Sequence, residues 1–356
     1  MGGLLLLLVA SGAVSAAKGD EIEPEQQSLP YHPDAIPLSQ YKHSSDSLVG
    51  LGSLKYKQIK DYYLAIYAST TTGSYYSEAS SLCDVVRKYF DKNHIHCVVL
   101  RSGGGGDNVR RMRDGRVQVA IVPSSLTYRA STGQAPIPGA RSVMSLGDEI
   151  SVLISRQQAN IQSVEDLRAK RINLGATESA GHALFLDYLA ASGIATKELD
   201  RLDSFPIEYG AQGVCSNYVD AYPIFTVHPT PVVKDAADRC GARISGLSGP
   251  GMEQILRQHP EYSRVVLPAG TYPGQDQPFE TIGAKNVVVA YQPADPYVVY
   301  WLVKAAIENI DLLRSSSPAL KNLDPHEMFA VGNYLPFHPG AERYWREIGL
   351  LGPRED

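Results

Sequence analysis

Three times in this sequence, a short β-rich run breaks into a turn of small polar residues and resumes as a helical pattern. Tyr62–Ala68 (YYLAIYA) ends in Ser69–Ser74, and apolar positions at Leu82, Val85, Val86 and Phe90 then predict a helix over Tyr75–Phe90. Cys97–Leu100 ends in Ser102–Gly106, Val109–Arg113 reads as helix up to Asp114-Gly115, and Val117–Val122 is a third strand. This repetition predicts a parallel sheet covered by helices. The pattern restarts with strands at Glu149–Ser155 and Arg171–Leu174 around a helix starting near Ser163, where Ser163 and Asp166 resemble a capping box. The small-residue turn Gly175–Gly181 precedes a helix over Ala183–Ala191. Strand patterns at Val219–Val227 and Arg243–Leu247 flank a helix at Pro231–Arg239, and strand Lys285–Ala290 leads into a long helix from Pro296 to Leu313. Two series and a return predict an α/β protein of two lobes with a cleft between them. Lobe 1 is expected over residues 61–148 and 284–356, and lobe 2 over 149–283.

The 356 residues are 44% hydrophobic, enough for real cores, and at roughly 100–200 residues per domain the length agrees with two units. A net charge of −5 argues against nucleic-acid partners and polybasic membrane attachment. After the first segment no run of about 20 apolar residues occurs, so no membrane span is expected in the mature chain.

Residues 1–17 carry no charged side chain; Leu4–Val9 is apolar and Ser11–Ala17 small, which fits a secretory signal cleaved after Ala16 or Ala17. A buried N-terminal helix is the alternative. Residues 18–60, with Pro24, Pro30, Pro33 and Pro37, read as a polar, poorly ordered lead-in. The expected location is periplasmic.

In open α/β sheets ligands sit beyond the carboxyl ends of strands, where helix N-termini attract anions. Thr70, Thr72, Ser74, Ser102 and Ser179 add hydroxyl donors to the three turns without adding charge. Equally, Ser, Thr and Gly are ordinary N-cap and turn residues. No turn matches a phosphate loop or carries an adjacent Lys, and Asp107 would repel a phosphate, so a carboxylate suits the turns better. His94 and His96 share a strand face, but no further metal ligand lies nearby. With no nucleophile elbow or zinc-protease motif, no enzyme, cofactor or metal is expected.

The four cysteines allow three pairings; the nearest-neighbour one, Cys83 with Cys97 and Cys215 with Cys240, is expected, each joining a helix to the edge of the next strand. Four buried free thiols are the alternative.

Several segments, in order, resemble the TAXI-type solute-binding proteins of TRAP (tripartite ATP-independent periplasmic) transporters. They are Thr72-Gly73-Ser74-Tyr75-Tyr76; Cys97–Gly104 followed by Asn108; Ser124 and Tyr128-Arg129-Ala130 with Gly133; Asp166–Ile172 leading to Gly175 and Ser179; His228-Pro229; Gly270–Gly274; and Pro336–Ala341. The cysteines also sit where part of that family carries two pairs. The resemblance spans about Tyr62 to Gly352. It implies a type II periplasmic-binding-protein fold, two hinged lobes closing on a small carboxylate, and delivery to TRAP membrane subunits.

On that reading Thr70, Thr72, Ser74, Ser102, Asn108 and Ser179 hold the carboxylate, with Gly73, Gly103, Ser124, Ser125 and Thr177 beside them. Tyr75, Tyr76 and Tyr222 wall the site. A periplasmic sensor partnering a membrane signalling receptor is the alternative use of the same lobes. The sequence departs from the family pattern at Gly105 (Ser in the family), Ser125 (Asp), Glu178 and Ala180 (Gly at both) and Val227 (Gly). Loss of the Asp at Ser125 points to a dicarboxylate or oxo-acid rather than glutamate, because a partner for an ammonium is missing.

Overall fold

The computed structural model describes residues 60–353, except Thr72 and Glu178. The expected signal segment, all of the lead-in but Lys60, and the binding role of Thr72 therefore lie outside the described residues. In chain order, β1 (Tyr62–Tyr67), α1 (Ser74–Arg87), α2 (Phe90–Asn93), β2 (Ile95–Leu100), α3 (Gly105–Arg113), β3 (Val119–Pro123) and α4 (Ser124–Ser131) lead to β4 (Ala140–Ser155). Next come β5 (Arg171–Asn173), α5 (Ala180–Ala191), β6 (Arg201–Asp203), α6 (Gly210–Cys215), β7 (Ala221–Thr226), α7 (Pro231–Cys240), β8 (Arg243–Gly246), α8 (Gly249–Gln258) and β9 (Ser263–Leu267). Strand β10 (Phe279–Tyr291) returns, and α9 (Pro296–Glu308), α10 (Ile310–Ser316), α11 (Pro325–Ala330) and α12 (Pro339–Glu347) finish the chain.

The α/β class expected from the alternation holds, but the sheet is mixed rather than parallel. Its order is β2-β1-β3-β10-β4-β7-β5-β6, with β8 also on β4 and β9 also on β10. Strands β1, β2 and β3 pair in parallel, as do β5, β6 and β7, whereas β4 and β10 run antiparallel to each other and to their other neighbours. These two strands, of 16 and 13 residues, are shared by both halves of the sheet. The first half of β4 lies on β10; from Ile150 onward β4 pairs with β7. Periodicity shows only the apolar ends of these strands, because Gly147, Asp148, Gly283 and Lys285 interrupt the pattern where one half gives way to the other.

Period-2 alternation distributes side chains to both faces of each half, which explains why the strands read as continuous apolar runs. Val119, Ile121 and Val288 join the core under α1, α9 and α12, while Ala120, Val122, Val287 and Val289 meet Val109 and Met112 of α3. Likewise Leu153 faces Leu184, Phe185 and Leu189 of α5, while Val152 and Ile154 face Val214 and Val233 of α6 and α7.

Other expectations shift in detail. Ser163 opens only a single 3₁₀ turn, Glu165–Leu167, because the Asp166 carboxylate accepts from the Gln162 and Ser163 amides (both 2.9 Å) and closes the loop on itself. The long C-terminal helix breaks at Asn309, whose side chain donates to the Ala305 carbonyl at 2.8 Å. The cysteines pair as expected, with Cα separations of 5.2 Å (Cys83–Cys97) and 5.4 Å (Cys215–Cys240). The second pair, however, joins the last residues of α6 and α7 instead of a helix and a strand.

Two predictions follow from this packing. Gly340 opens α12 against α9, and a Cβ there would lie 2.2 Å from the Pro296 carbonyl oxygen. The backbone cannot yield locally, so Gly340→Ala should cost about 1–3 kcal/mol in urea unfolding. Replacing Cys83 and Cys97 together by Ala should lower stability by about 3 kcal/mol in the chain-entropy account of a 14-residue loop, read as a lower unfolding midpoint.

Candidate functional site

A cavity of about 380 Å³ opens where the two halves of the sheet meet. The N-termini of α1, α3, α5 and α7 all reach it, through Ser74 and Tyr75, Gly104–Gly106, Ser179–Gly181, and Thr230. The convergence follows from the sheet. β1, β2, β5 and β7 run into the turns that open α1, α3, α5 and α7, and each helix starts within a few residues of its strand. Orphan N–H groups and the positive ends of four helix dipoles thus point at one space.

Local sequence keeps several of those N–H groups open. Glycines occupy the N-cap positions of α1 (Gly73) and α3 (Gly104), so neither N-cap residue offers a side chain to its helix, and in α1 only the Tyr76 amide finds one, donating to the Ser69 hydroxyl at 3.2 Å. A Cβ on Gly73 would sit 2.4 Å from the Ser69 hydroxyl oxygen, and Gly104 has φ +96°, a backbone region open to glycine. Ser179 caps α5 by accepting from the His182 amide at 3.1 Å, which leaves its own hydroxyl proton to donate. Across the cavity, Ser74 Oγ lies 3.5 Å from Thr226 Oγ1, and Thr70 Oγ1 donates to Glu208 Oε1 at 3.4 Å.

Of the residues singled out from sequence, Thr70, Gly73, Ser74, Tyr75, Gly103 and Ser179 line the cavity. Others serve the frame around it. Asn108 is fully buried and donates to the carbonyls of Ala68 and Ile121 (both 2.8 Å), tying β1 to β3. Ser102 donates to the Ala68 carbonyl at 3.0 Å and accepts from the Gly104 amide at 3.1 Å, which shapes the glycine turn. Asp107 turns away from the cavity to bond the Gly103 amide, Arg110 and Arg111. Tyr76, in the first turn of α1, packs on the core, Thr177 is exposed on the turn after β5, and Tyr222 is buried with its ring against Gly210. Ser124 and Ser125 are buried in the first turn of α4, and Ser125 hydrogen-bonds Tyr262. Ser125 does not line the cavity, so an Asp missing at this position does not disfavour an amine-bearing ligand.

Sequence reasoning missed Glu149, Glu208, Phe225, Thr226 and Thr230. Glu149 sits in β4 one residue before its pairing passes to β7, at the crossover between the two halves. It is 5% exposed, and burial pushes its carboxyl up to about 8 although the Tyr75 hydroxyl hydrogen-bonds it. Glu78, fully buried on α1, is raised as well, by burial, against two hydrogen bonds from Asn286 Nδ2 (2.9 and 3.0 Å). No Lys or Arg lines the cavity among the described residues. The adjacent carboxyls Asp148 and Glu149 between two mostly apolar runs were the one signal available, and without the fold Glu149 had no neighbour.

Two motif segments turn out to hold the walls in place. His228, just beyond β7, has Nε2 3.0 Å from the Ile150 carbonyl and Nδ1 2.5 Å from the Tyr272 hydroxyl, which in turn accepts from the Thr230 amide at 2.8 Å. Burial holds His228 down to about 4, so Nε2–H donates to the carbonyl and Nδ1 accepts from the tyrosine. The start of α7 is thereby fastened to β4 beside Glu149. In the second segment, His338 caps α12 and its amide donates to the Ser142 carbonyl at 2.9 Å, fastening the C-terminal helix to the other end of β4.

Compared with known proteins, residues 66–349 match the model of the NMT1-like family. Solved structures of similar shape include the alkanesulfonate-binding protein SsuA from Xanthomonas axonopodis pv. citri bound to MOPS, at 15% identity. That match covers 78% of this chain and 86% of that one, with a TM-score of 0.44. Another is an ABC uptake transporter substrate-binding protein from Streptococcus pneumoniae with bound histidine, at 12% identity, covering 74% and 93%, with a TM-score of 0.44. A binding-protein component of an ABC phosphonate transporter from Pseudomonas aeruginosa matches at 13% identity over 76% and 93%, with a TM-score of 0.40.

The raised carboxyl has a stability signature. An unfolded Glu titrates near 4.3, whereas Glu149 holds its proton to about 8. Between those values the folded state binds more protons, so its stability should fall as pH rises through that window. Glu149→Gln removes the titration, and denaturant unfolding at pH 5 and pH 8 should show a smaller difference for the variant than for the parent chain. On the wall-fastening network, Tyr272→Phe should cost about 1–3 kcal/mol by leaving the Thr230 amide and His228 Nδ1 unpaired.

Proposed function

We propose that this chain, which belongs to the NMT1-like family, is a non-enzymatic solute-binding protein that captures a small carboxylate and hands it to a membrane importer. The convergence of four helix N-termini on one cavity whose described lining holds no Lys or Arg carries this reading. An anion is stabilised there by N–H groups, hydroxyls and helix dipoles instead of a salt bridge. The halves of the sheet act as two lobes of a type II periplasmic-binding-protein fold, residues 61–148 with 284–356 and residues 149–283, flexing about β4 and β10. Contacts across the cavity, Thr70 to Glu208 and Ser74 to Thr226, belong to the closed arrangement, and the ligand favours it by touching both walls.

The ordered TAXI-type motifs support TRAP membrane subunits as the recipient. The leader pattern of residues 1–17 and the two cysteine pairs support a periplasmic location, where disulfides persist.

Isothermal titration and thermal shift against C4–C6 organic acids and amino acids test the reading. Micromolar binding of at least one acid is expected, about −8 kcal/mol, whereas silence across the panel would sink it. Ser74→Ala and Ser179→Ala should each weaken that binding roughly three- to tenfold, in line with the loss of one hydrogen bond. Mass spectrometry of ligand released from natively purified protein would identify the solute.

A further inference from the structure

The cavity is polarised in two senses. Helix N-termini supply positive potential on several sides, while Glu149 projects from β4 and Glu208 stands at the rim. Glu149 is buried and held by Tyr75, yet no cationic side chain among the described lining residues faces it. Its charged neighbours are committed elsewhere. Lys285 on β10 pairs with Asp148 and Glu327 (both 3.0 Å), and Glu78 is bound by Asn286. His228, whose Nε2 meets the Ile150 carbonyl, is neutral. Across the cavity Glu208 accepts from Thr70. A carboxyl placed this way has a counter-ion only if the ligand brings one.

We propose that Glu149 is the specificity-determining residue that receives an ammonium group of the ligand, and that seating this group expels the Glu149 proton to solvent. The inference rests on the acid-binding reading and deepens it, for the ligand then presents its carboxylate to the helix ends and its ammonium to β4. The proton balance is simple. The protonated carboxyl gives up H⁺ to the buffer, and the resulting carboxylate pairs with an ammonium that keeps its own protons. Because burial raises the carboxyl to about 8, the proton is present at neutral pH and its release is measurable. Below that value, affinity for an ammonium-bearing ligand rises with pH by up to about tenfold per unit. A ligand lacking the ammonium leaves the proton in place and shows no such rise.

Matched probes separate the possibilities: L-glutamate with glutarate, and L-norvaline with pentanoate, each pair differing only in the α-ammonium. Titration calorimetry at pH 6.0, 7.0 and 8.0, in buffers of different ionisation heat, reports affinity and protons released together. The expected result is tighter binding of at least one amino acid than of its partner, with release approaching one proton at pH 7.0 and affinity rising with pH. Glu149→Gln should remove the proton release and reduce the preference for the amine at least tenfold. The calorimetry on the unaltered chain stands even if the variant fails to fold. If glutarate or pentanoate binds as tightly as its amino partner without proton release, the inference is overturned and the acid-binding reading survives. Silence from all four probes and from the wider acid panel overturns both.

Discussion

The pairing of β4 with β10 is the constraint on which the remaining structure depends. Both strands run through the middle of one sheet, Ala140 opposite Tyr291 at one end and Ile150 opposite Gly283 at the other. The outer edge of β10 carries β3 and β9 and that of β4 carries β7, while β8 pairs with the end of β4 on the edge that β10 has left. Register shifts between Lys285 and Val287 and between Val288 and Val289 bend β10 where one half gives way to the next. Since every other strand is hung from this pair, its bend decides which helix N-termini meet. Gly147 and Gly283 sit in this region because a Cβ would strike the Ala319 carbonyl (2.1 Å) in one case and Val265 (2.7 Å) in the other.

Electrostatics at the crossover are a balance of partial charges. Four helix ends favour an anion, and each contributes at most a modest amount in a solvated site. Two carboxyls oppose them, of which Glu149 is the deeper and, by holding its proton, the less repulsive. This explains how a chain with a net charge of −5 can offer an anion a favourable surface without a lysine or arginine on the described cavity wall.

Several residues that resemble family motifs act on the frame instead of the cavity. His228 and Tyr272 fasten the start of α7 to β4, and His338 and Gly340 seat α12 beside α9. Gly105 departs from the family pattern for a local reason: a Cβ there would lie 2.4 Å from Pro123 Cδ at the end of β3. The glycine and the proline fit one another, and the turn before α3 follows from that fit.

Local patterning was enough to reveal the α/β class, most of the shorter strands, the turns that become the cavity's helix ends and the pairing of Cys83 with Cys97. All of these depend on neighbours a few residues apart, which periodicity, turn chemistry and loop length report directly. The full length of β4 and β10, the mixed direction of the sheet and the placement of Glu149 were not legible. Glu149 and Tyr75 are 74 residues apart in sequence, as their numbers show, and meet only because β4 and α1 border the same crossover. Asn108 and Ser102 looked like ligand donors for the complementary reason. Their chemistry suits an anion, but the sheet brings free strand-end carbonyls closer, and buried polar groups take the nearest partner. Residue types determined what chemistry was on offer; long-range strand pairing decided which groups face the cavity and which are spent holding it open.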